Sequence, residues 1–457
     1  MTKPTTDDHP HVAVLAFPFG THAAPLLSIT HHLAALSPST HFSFFGTPSS
    51  NSFILSSNTN LPPNVKPYDV WDGTPDGYAY TGDVQEEMGL FISAAHESFR
   101  KGVDRAVEES GRRVSCLMSD AFFWFGKEMA EEIGGGVMWV PFWTAGPHAL
   151  SSHLYTDFIR ESFAGDVTQR EDELLSSIPG MSRVRVCDLP EGVVFGRLDS
   201  LFSQMLHKMG QALPKADAVF INSFEELDPT FTNDLKSKLK CCLNIGPFNL
   251  ISPPAQVPDT YGCIPWLDKQ QLASVAYVSF GSATIPLPHE LVALAEALED
   301  RKVPFIWSLK DNAKVHLPDG FLETTKFQGI VIPWAPQAKV LGHKAVGVFI
   351  THCGWNSLLE TIVGGVPVIC RPFYGDQRLN ARMIGDVWKI GVIVNGGVLA
   401  KEAMIDCFDK ILLQEDGKQM RGRIKSLKDL ALAATAYKGS SSDNMRELSR
   451  LVSSPCK

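Results

Sequence analysis

Residues 334–377 read WAPQAKVLGHKAVGVFITHCGWNSLLETIVGGVPVICRPFYGDQ. Within it the apolar run VGVFIT passes through a turn, HCGWNS, into the helically spaced WNSLLETIVGG, and a second apolar run, PVICRP, follows. Strand, turn, helix and strand in that order are the repeating unit of a parallel sheet covered on both faces. The same alternation extends in both directions. Toward the N-terminus lie the strand-like VAYVSFGS, FIWSLK and IVIPW, with the helical HELVALAEALEDR among them. The first half opens with an apolar run from His11 to Phe17, a turn-rich FPFGTHAAP and a helical pattern from Pro25, then HFSFF, VKPYDV, VSCLMSD and GVMWVPF. ISPPAQVPDTYG, residues 251–262, is Pro-rich and reads as a linker. After about Lys401 the pattern is helical to the end. The expectation is an α/β protein of two Rossmann-like domains, with ligand loops at the carboxyl ends of the strands.

The 457 residues are too many for one ordinary core. With 44% hydrophobic and 20% charged residues the composition is that of a globular chain. A net charge of -9 argues against binding nucleic acid or anionic membrane through bulk electrostatics. Nine scattered cysteines with no C-x-x-C fit reduced thiols better than a disulfide framework or a zinc site. No stretch nears the roughly 20 apolar residues of a membrane span, and the N-terminus does not read as a secretory signal. A cytoplasmic monomer is expected.

Neither opening turn, FPFGTHAAP nor VSFGSATIP, has the G-x-G-x-x-G that a dinucleotide needs, which disfavours nicotinamide chemistry. No Asp-x-Asp is present either, so a metal-clamped diphosphate is not expected and no cofactor is implied. Protein donors would have to meet the charge. The turn from His352 to Ser357 supplies them: free N–H groups and the positive end of the helix dipole, with Gly354 allowing close approach and Asn356 and Ser357 adding side chains. The dipole contributes only about 0.3–2 kcal/mol, so His352 and the hydroxyls must share the work. Glu360, six residues beyond Gly354, can accept from two ribose hydroxyls. Trp334 offers a face for a base, and Gln337 lies three residues on. Trp355 opens the helix after the turn, and Asp376 and Gln377 close the stretch just past the strand PVICRP. His22, in a loop, and Asp120, at a strand end, become neighbours if the first and fourth strands pair. They are then either structural or a base with its orienter.

The 334–377 stretch resembles the signature box of plant UDP-dependent glycosyltransferases. LAFPFGTHAAPLL, SCLMSDAFFWF, PFWTAGP, REDELLSSIPGMS, VFINSFEELDP and LNIGPFNLISPP closely resemble that family's flavonoid 3-O-glucosyltransferases, anthocyanidin-using members included. The resemblance implies a GT-B fold with the two domains facing a central cleft. It implies an acceptor domain over 1–250, a linker over 251–262, a UDP-sugar domain over 263–440 and a last helix, 441–457, returning to the first domain. It also implies inverting transfer of glucose from UDP-glucose to a flavonoid 3-hydroxyl, giving a β-O-glucoside. Another donor (UDP-galactose or UDP-rhamnose) or another small phenol is the alternative. By the same match His22 and Asp120 are the catalytic pair. Thr21, Thr144, Ser282, Ser308 and Ala335 join the donor residues, with Trp307 beside Ser308 in the uridine pocket. Phe17, Gln85, Phe122, His153, Phe202 and Tyr374 would hold the acceptor. A Gln at the last box position, here Gln377, usually accompanies glucose in this family. Gly20 stands where some relatives have Ser, and Tyr374 where Phe is common. Phe123 and Phe125 read better as the apolar face of a helix.

Overall fold

The computed structural model describes residues 9–56, 61–79, 81–165, 167–251, 258–282, 284–394 and 397–455. Residues 252–257 of the expected linker, and Cys456, lie outside the described residues. The chain forms two compact units, one of Met1–Val167, Glu191–Ala255 and Ala434–Lys457, the other of Thr168–Pro190 and Gln256–Ala433.

The first unit is built on a seven-stranded sheet. Its strands are β1 (His11–Leu15), β2 (His41–Gly46), β3 (Val65–Asp69), β4 (Cys116–Asp120), β5 (Met138–Trp143), β6 (Val219–Ile221) and β7 (Cys242–Asn244). They run in the order β3-β2-β1-β4-β5-β6-β7, every neighbouring pair parallel. β1 is buried from end to end, as a strand covered on both faces must be, which is why HVAVL shows no polar alternation. The helix Ala23–Leu36 buries Leu26, Leu27, Ile29 and Leu33 on one side of the sheet. In the same core lie Met445, Leu448 and Val452 of the helix Ser440–Val452. Asn444 Nδ2 ties that helix to the sheet by donating to the Asn244 carbonyl, 3.0 Å away at the end of β7.

The second unit repeats the plan with six strands: β8 (Val275–Ser279), β9 (Phe305–Ser308), β10 (Gly329–Ile332), β11 (Val346–Thr351), β12 (Val368–Cys370) and β13 (Gly391–Ile393). The order is β10-β9-β8-β11-β12-β13, again parallel. Alternate residues of β8 serve opposite faces. Ala276 and Val278 pack with Leu291, Leu294 and Leu298 of the helix Pro288–Asp300, while Val275 and Tyr277 pack with Phe349 and Leu341. Thr168–Pro190 is held in this unit by Arg382, whose Nε and Nη2 donate to the Asp188 carboxylate at 2.8 and 3.2 Å. In both sheets the strand order reverses beside the first strand, and that reversal opens a crevice at the carboxyl ends. No helix among the described residues is long and apolar enough to cross a membrane.

Candidate active site

In the first unit β1, β4 and β5 are consecutive in the sheet, so the loops at their carboxyl ends share one edge. Gly20 turns the chain after β1 with φ +63, a left-handed conformation that favours glycine and that a serine would strain. His22 follows at the N-cap of the helix Ala23–Leu36. Its Nδ1 lies 2.8 Å from Asp120 Oδ2, although 98 positions separate the two in sequence. Asp120 ends β4, is fully buried, and its other oxygen accepts from the Phe122 amide at 2.9 Å. A carboxylate only accepts, so Nδ1 carries the proton and Nε2 keeps a lone pair. The Thr144 hydroxyl, one residue beyond β5, lies 3.3 Å from the same Nδ1. Three strand ends thus converge on one imidazole. Thr21, beside it, is exposed at the turn.

Aromatic rings wall this imidazole. Phe17 and Phe122 stand 5.2 and 4.5 Å from it, and Phe202 meets Phe122 at 5.9 Å. Trp143 stacks edgewise on His153 at 5.6 Å. Burial pushes the His153 imidazole down to about 4, so it is neutral near pH 7. Gln85 is on the exposed first turn of the helix Val84–Ser110, where Asp83 caps its amide. Phe123 and Phe125 are buried as expected, but not on a helix. They sit in the turn before the helix Gly126–Ile133, packed on each other, with Phe123 against Phe91 and Phe99. The Ala121 amide bonding to Phe142, together with Asp120 on the Phe122 amide, bends the chain there before a helix can start.

In the second unit His352 follows β11 and the helix Trp355–Gly364 begins three residues later, with Gly354 as N-cap. Its ring is enclosed by two glycines. A Cβ on Gly354 would fall 2.4 Å from His352 Nε2, and one on Gly281 2.9 Å from its Cε1. This close approach explains both glycines. Burial holds the imidazole down at about 4, so His352 is a neutral donor near pH 7 and not a cation. Cys353 between them is held at φ +67, a conformation disfavoured for a side-chain-bearing residue, and Asn380 Nδ2 secures its carbonyl at 2.8 Å. Asn380 also donates to Asp376 Oδ2 at 2.9 Å. The sequence reading passed over Asn380, although its place four residues after Asp376 puts both on one helical face.

Glu360 is not a free surface carboxylate. Gln337 Nε2 donates to its Oε2 at 2.6 Å and to Ser357 Oγ at 3.0 Å. Burial raises the Glu360 carboxyl, and the Gln337 bond works against that rise. Trp334, two residues past β10, is 45% exposed, leaving a face open, while Ala335 beside it is buried. Ser308 is the last residue of β9; Trp307 before it is wholly buried against Phe321, in the core. Ser282 is exposed past β8, its carbonyl accepting from Lys310 Nζ at 2.7 Å. Trp355 is buried and Asn356 partly so on the first helical turn. Past β12, Asp376 caps the helix Gln377–Arg382. Gln377 Oε1 accepts from the Phe373 and Tyr374 amides at 2.8 and 3.3 Å, which leaves its Nε2 as the end free to donate. Tyr374 is 47% exposed. The start of this loop is anchored by Arg371, which makes a bidentate pair with Glu290 at 2.9 and 2.7 Å.

A partly buried imidazole hydrogen-bonded to a buried carboxylate at one switch point, and a helix N-terminus with a carboxylate and an open indole at the other, are parts that suit a sugar-nucleotide transferase. The family model for UDP-glucoronosyl and UDP-glucosyl transferase matches residues 84–428, and the chain belongs to that family. Its fold is of the GT-B type. It is 59% identical over 457 residues, 100% of this chain and 99% of the relative, to anthocyanidin 3-O-glucosyltransferase of Vitis vinifera. It is 56% identical over 455 residues, 98% of each, to flavonol 3-O-glucosyltransferase of Arabidopsis thaliana. It is also similar, with a TM-score of 0.92 and 39% identity over 97% of this chain and 99% of the other, to a UDP-glucose:anthocyanidin 3-O-glucosyltransferase crystallised with UDP.

Proposed function

We propose that the protein transfers glucose from UDP-glucose to the 3-hydroxyl of a flavonol or anthocyanidin, with inversion, releasing UDP. The observation that carries the reading is the His22–Asp120 hydrogen bond, which leaves His22 Nε2 as a proton acceptor beside Phe17 and Phe122. The activities of the two relatives, on an anthocyanidin and on a flavonol, support the acceptor class. In this reading Nε2 takes the hydroxyl proton as the acceptor oxygen bonds to C1 of the sugar. The bond from C1 to the diphosphate breaks on the opposite face, and its electron pair leaves with UDP. An α-linked donor therefore yields a β-glucoside. Uracil stacks on Trp334, Glu360 accepts from the ribose hydroxyls, and the diphosphate meets the 352–357 turn. Asp376 and the Gln377 amide hold the hexose. No metal takes part, and the enzyme acts as a cytoplasmic monomer.

The test crosses UDP-glucose, UDP-galactose and UDP-rhamnose with quercetin, kaempferol and cyanidin, and determines product linkage by NMR. The expected product is the 3-O-β-glucoside, formed equally with and without EDTA. If UDP-glucose leaves all three acceptors unmodified, the acceptor assignment is wrong. A clear preference for UDP-galactose removes Gln377 as a glucose selector. Asp120→Asn should lower kcat on the order of 10²-fold with UDP affinity unchanged. The Asn amide can present its NH2 to Nδ1 and so favour the tautomer whose Nε2 is already protonated. Wild-type kcat in that variant ends the orienting role.

A further inference from the structure

Tyr277 in β8 has no part in the reaction above, yet its hydroxyl reaches the residues assigned to the donor. The ring is 1% exposed and stacks on Phe349 of β11, centroids 5.0 Å apart and planes 16° apart. Phenylalanine would pack as well on these contacts, so the hydroxyl calls for its own explanation. It donates to Gln337 Oε1 at 3.1 Å, and Gln337 Nε2 donates in turn to Glu360 Oε2 and Ser357 Oγ. The direction of this relay is set at its far end. Gln337 turns its NH2 toward the Glu360 and Ser357 oxygens, and its amide oxygen is left facing Tyr277. Without the phenol, that oxygen has no buried donor in the relay and the amide loses its reason to hold one orientation.

We infer that Tyr277 is a positioning residue which, through Gln337, orients the Glu360 carboxylate for the ribose hydroxyls of the donor. The inference rests on the reading of Glu360 as the ribose acceptor. Its site of action is the Glu360 carboxylate, read above as accepting from both ribose hydroxyls, so a nucleotide lacking one of them should feel the change less. UDP and 2′-deoxy-UDP differ only at the 2′-hydroxyl.

Isothermal titration of both nucleotides against the full-length protein tests it. Wild type should prefer UDP by about ten-fold, the scale of one well-made hydrogen bond to a charged group. In Tyr277→Phe the preference should shrink to about three-fold or less, with 2′-deoxy-UDP affinity within about two-fold of wild type. In a Glu360→Ala background, adding Tyr277→Phe should change nothing further. A Tyr277→Phe protein that keeps the full preference overturns the inference. So does one that loses affinity for both nucleotides equally, or one too unstable to titrate, since each makes the hydroxyl merely structural. A wild type blind to the 2′-hydroxyl instead overturns the Glu360 reading beneath it.

Discussion

His22→Ala lowers kcat by roughly 10³–10⁴-fold while UDP affinity stays within about two-fold, the upper range for removal of a general base. The size follows from the chemistry of the acceptor. A phenolic hydroxyl, with a pKa near the 10 or so of tyrosine, is almost wholly protonated at pH 7 and attacks poorly until its proton leaves. In the wild type Nε2 receives that proton, and Asp120 on Nδ1 stabilises the imidazolium that forms. In the alanine variant the proton must go to water. The fold is not expected to suffer. His22 caps its helix without a side-chain bond, and its side chain is 17% exposed at the end of a strand–helix turn. UDP affinity is spared because the residues assigned to the nucleotide belong to the other compact unit. Single-turnover rates with bound UDP-glucose, alongside UDP titration, check both halves. Turnover near wild type removes His22 from the mechanism. A matched fall in UDP affinity shows that the histidine serves donor binding instead.

The strands carrying these residues were legible because doubly covered parallel strands are continuous apolar runs; SCLMSD ends at Asp120, and HVAVL and VGVFIT lead into the turns that carry His22 and His352. The meeting of His22 with Asp120 was legible too, since it follows from β1 pairing with β4. The short strands β6, β7 and β13, three residues each, are too brief for any period to show, and the sequence reading did not single them out. Nor did it show that Thr168–Pro190 belongs with the second unit. The tie is Arg382 on Asp188, 194 positions apart, and no local pattern announces a charge pair at that range. The relay from Tyr277 was hidden for a different reason. In a run reading VAYVS a tyrosine is indistinguishable from core until its hydroxyl is seen to have a partner. Trp307 errs in the opposite direction: placed in the uridine pocket by resemblance, it packs in the core.

Glu290→Gln destabilises the protein by about 3–5 kcal/mol, the usual cost of stripping one partner from a buried ion pair. Glu290 is fully buried, and its carboxylate accepts four bonds: two from Arg371 and one each from the Leu287 and Leu399 amides. Every neighbour is a donor. A glutamine must aim its NH2 at two of them, an Arg371 nitrogen and a backbone amide, which leaves opposed donors beside an Arg371 that is itself buried and stacked on Phe373. Burial works to raise the Glu290 carboxyl, but the Arg371 guanidinium and the two amides outweigh it and hold it below the usual range. Because the folded value is depressed, the pair contributes fully above the unfolded carboxyl pKa, about 4.3, and its contribution fades as pH falls through the folded value. Calorimetry at pH 7 should therefore show the variant's first transition roughly 10 °C below wild type, with the gap narrowing in acid. Glu290→Leu combined with Arg371→Met should recover much of the loss, since no uncompensated charge remains. If the single variant melts within a degree or two of wild type, water reaches the pair and it does not anchor the 371–377 loop. If it melts low but the double variant melts lower still, the pair is needed for shape as well as charge. Gln377, held by two amides of that loop, would then lose its orientation in both.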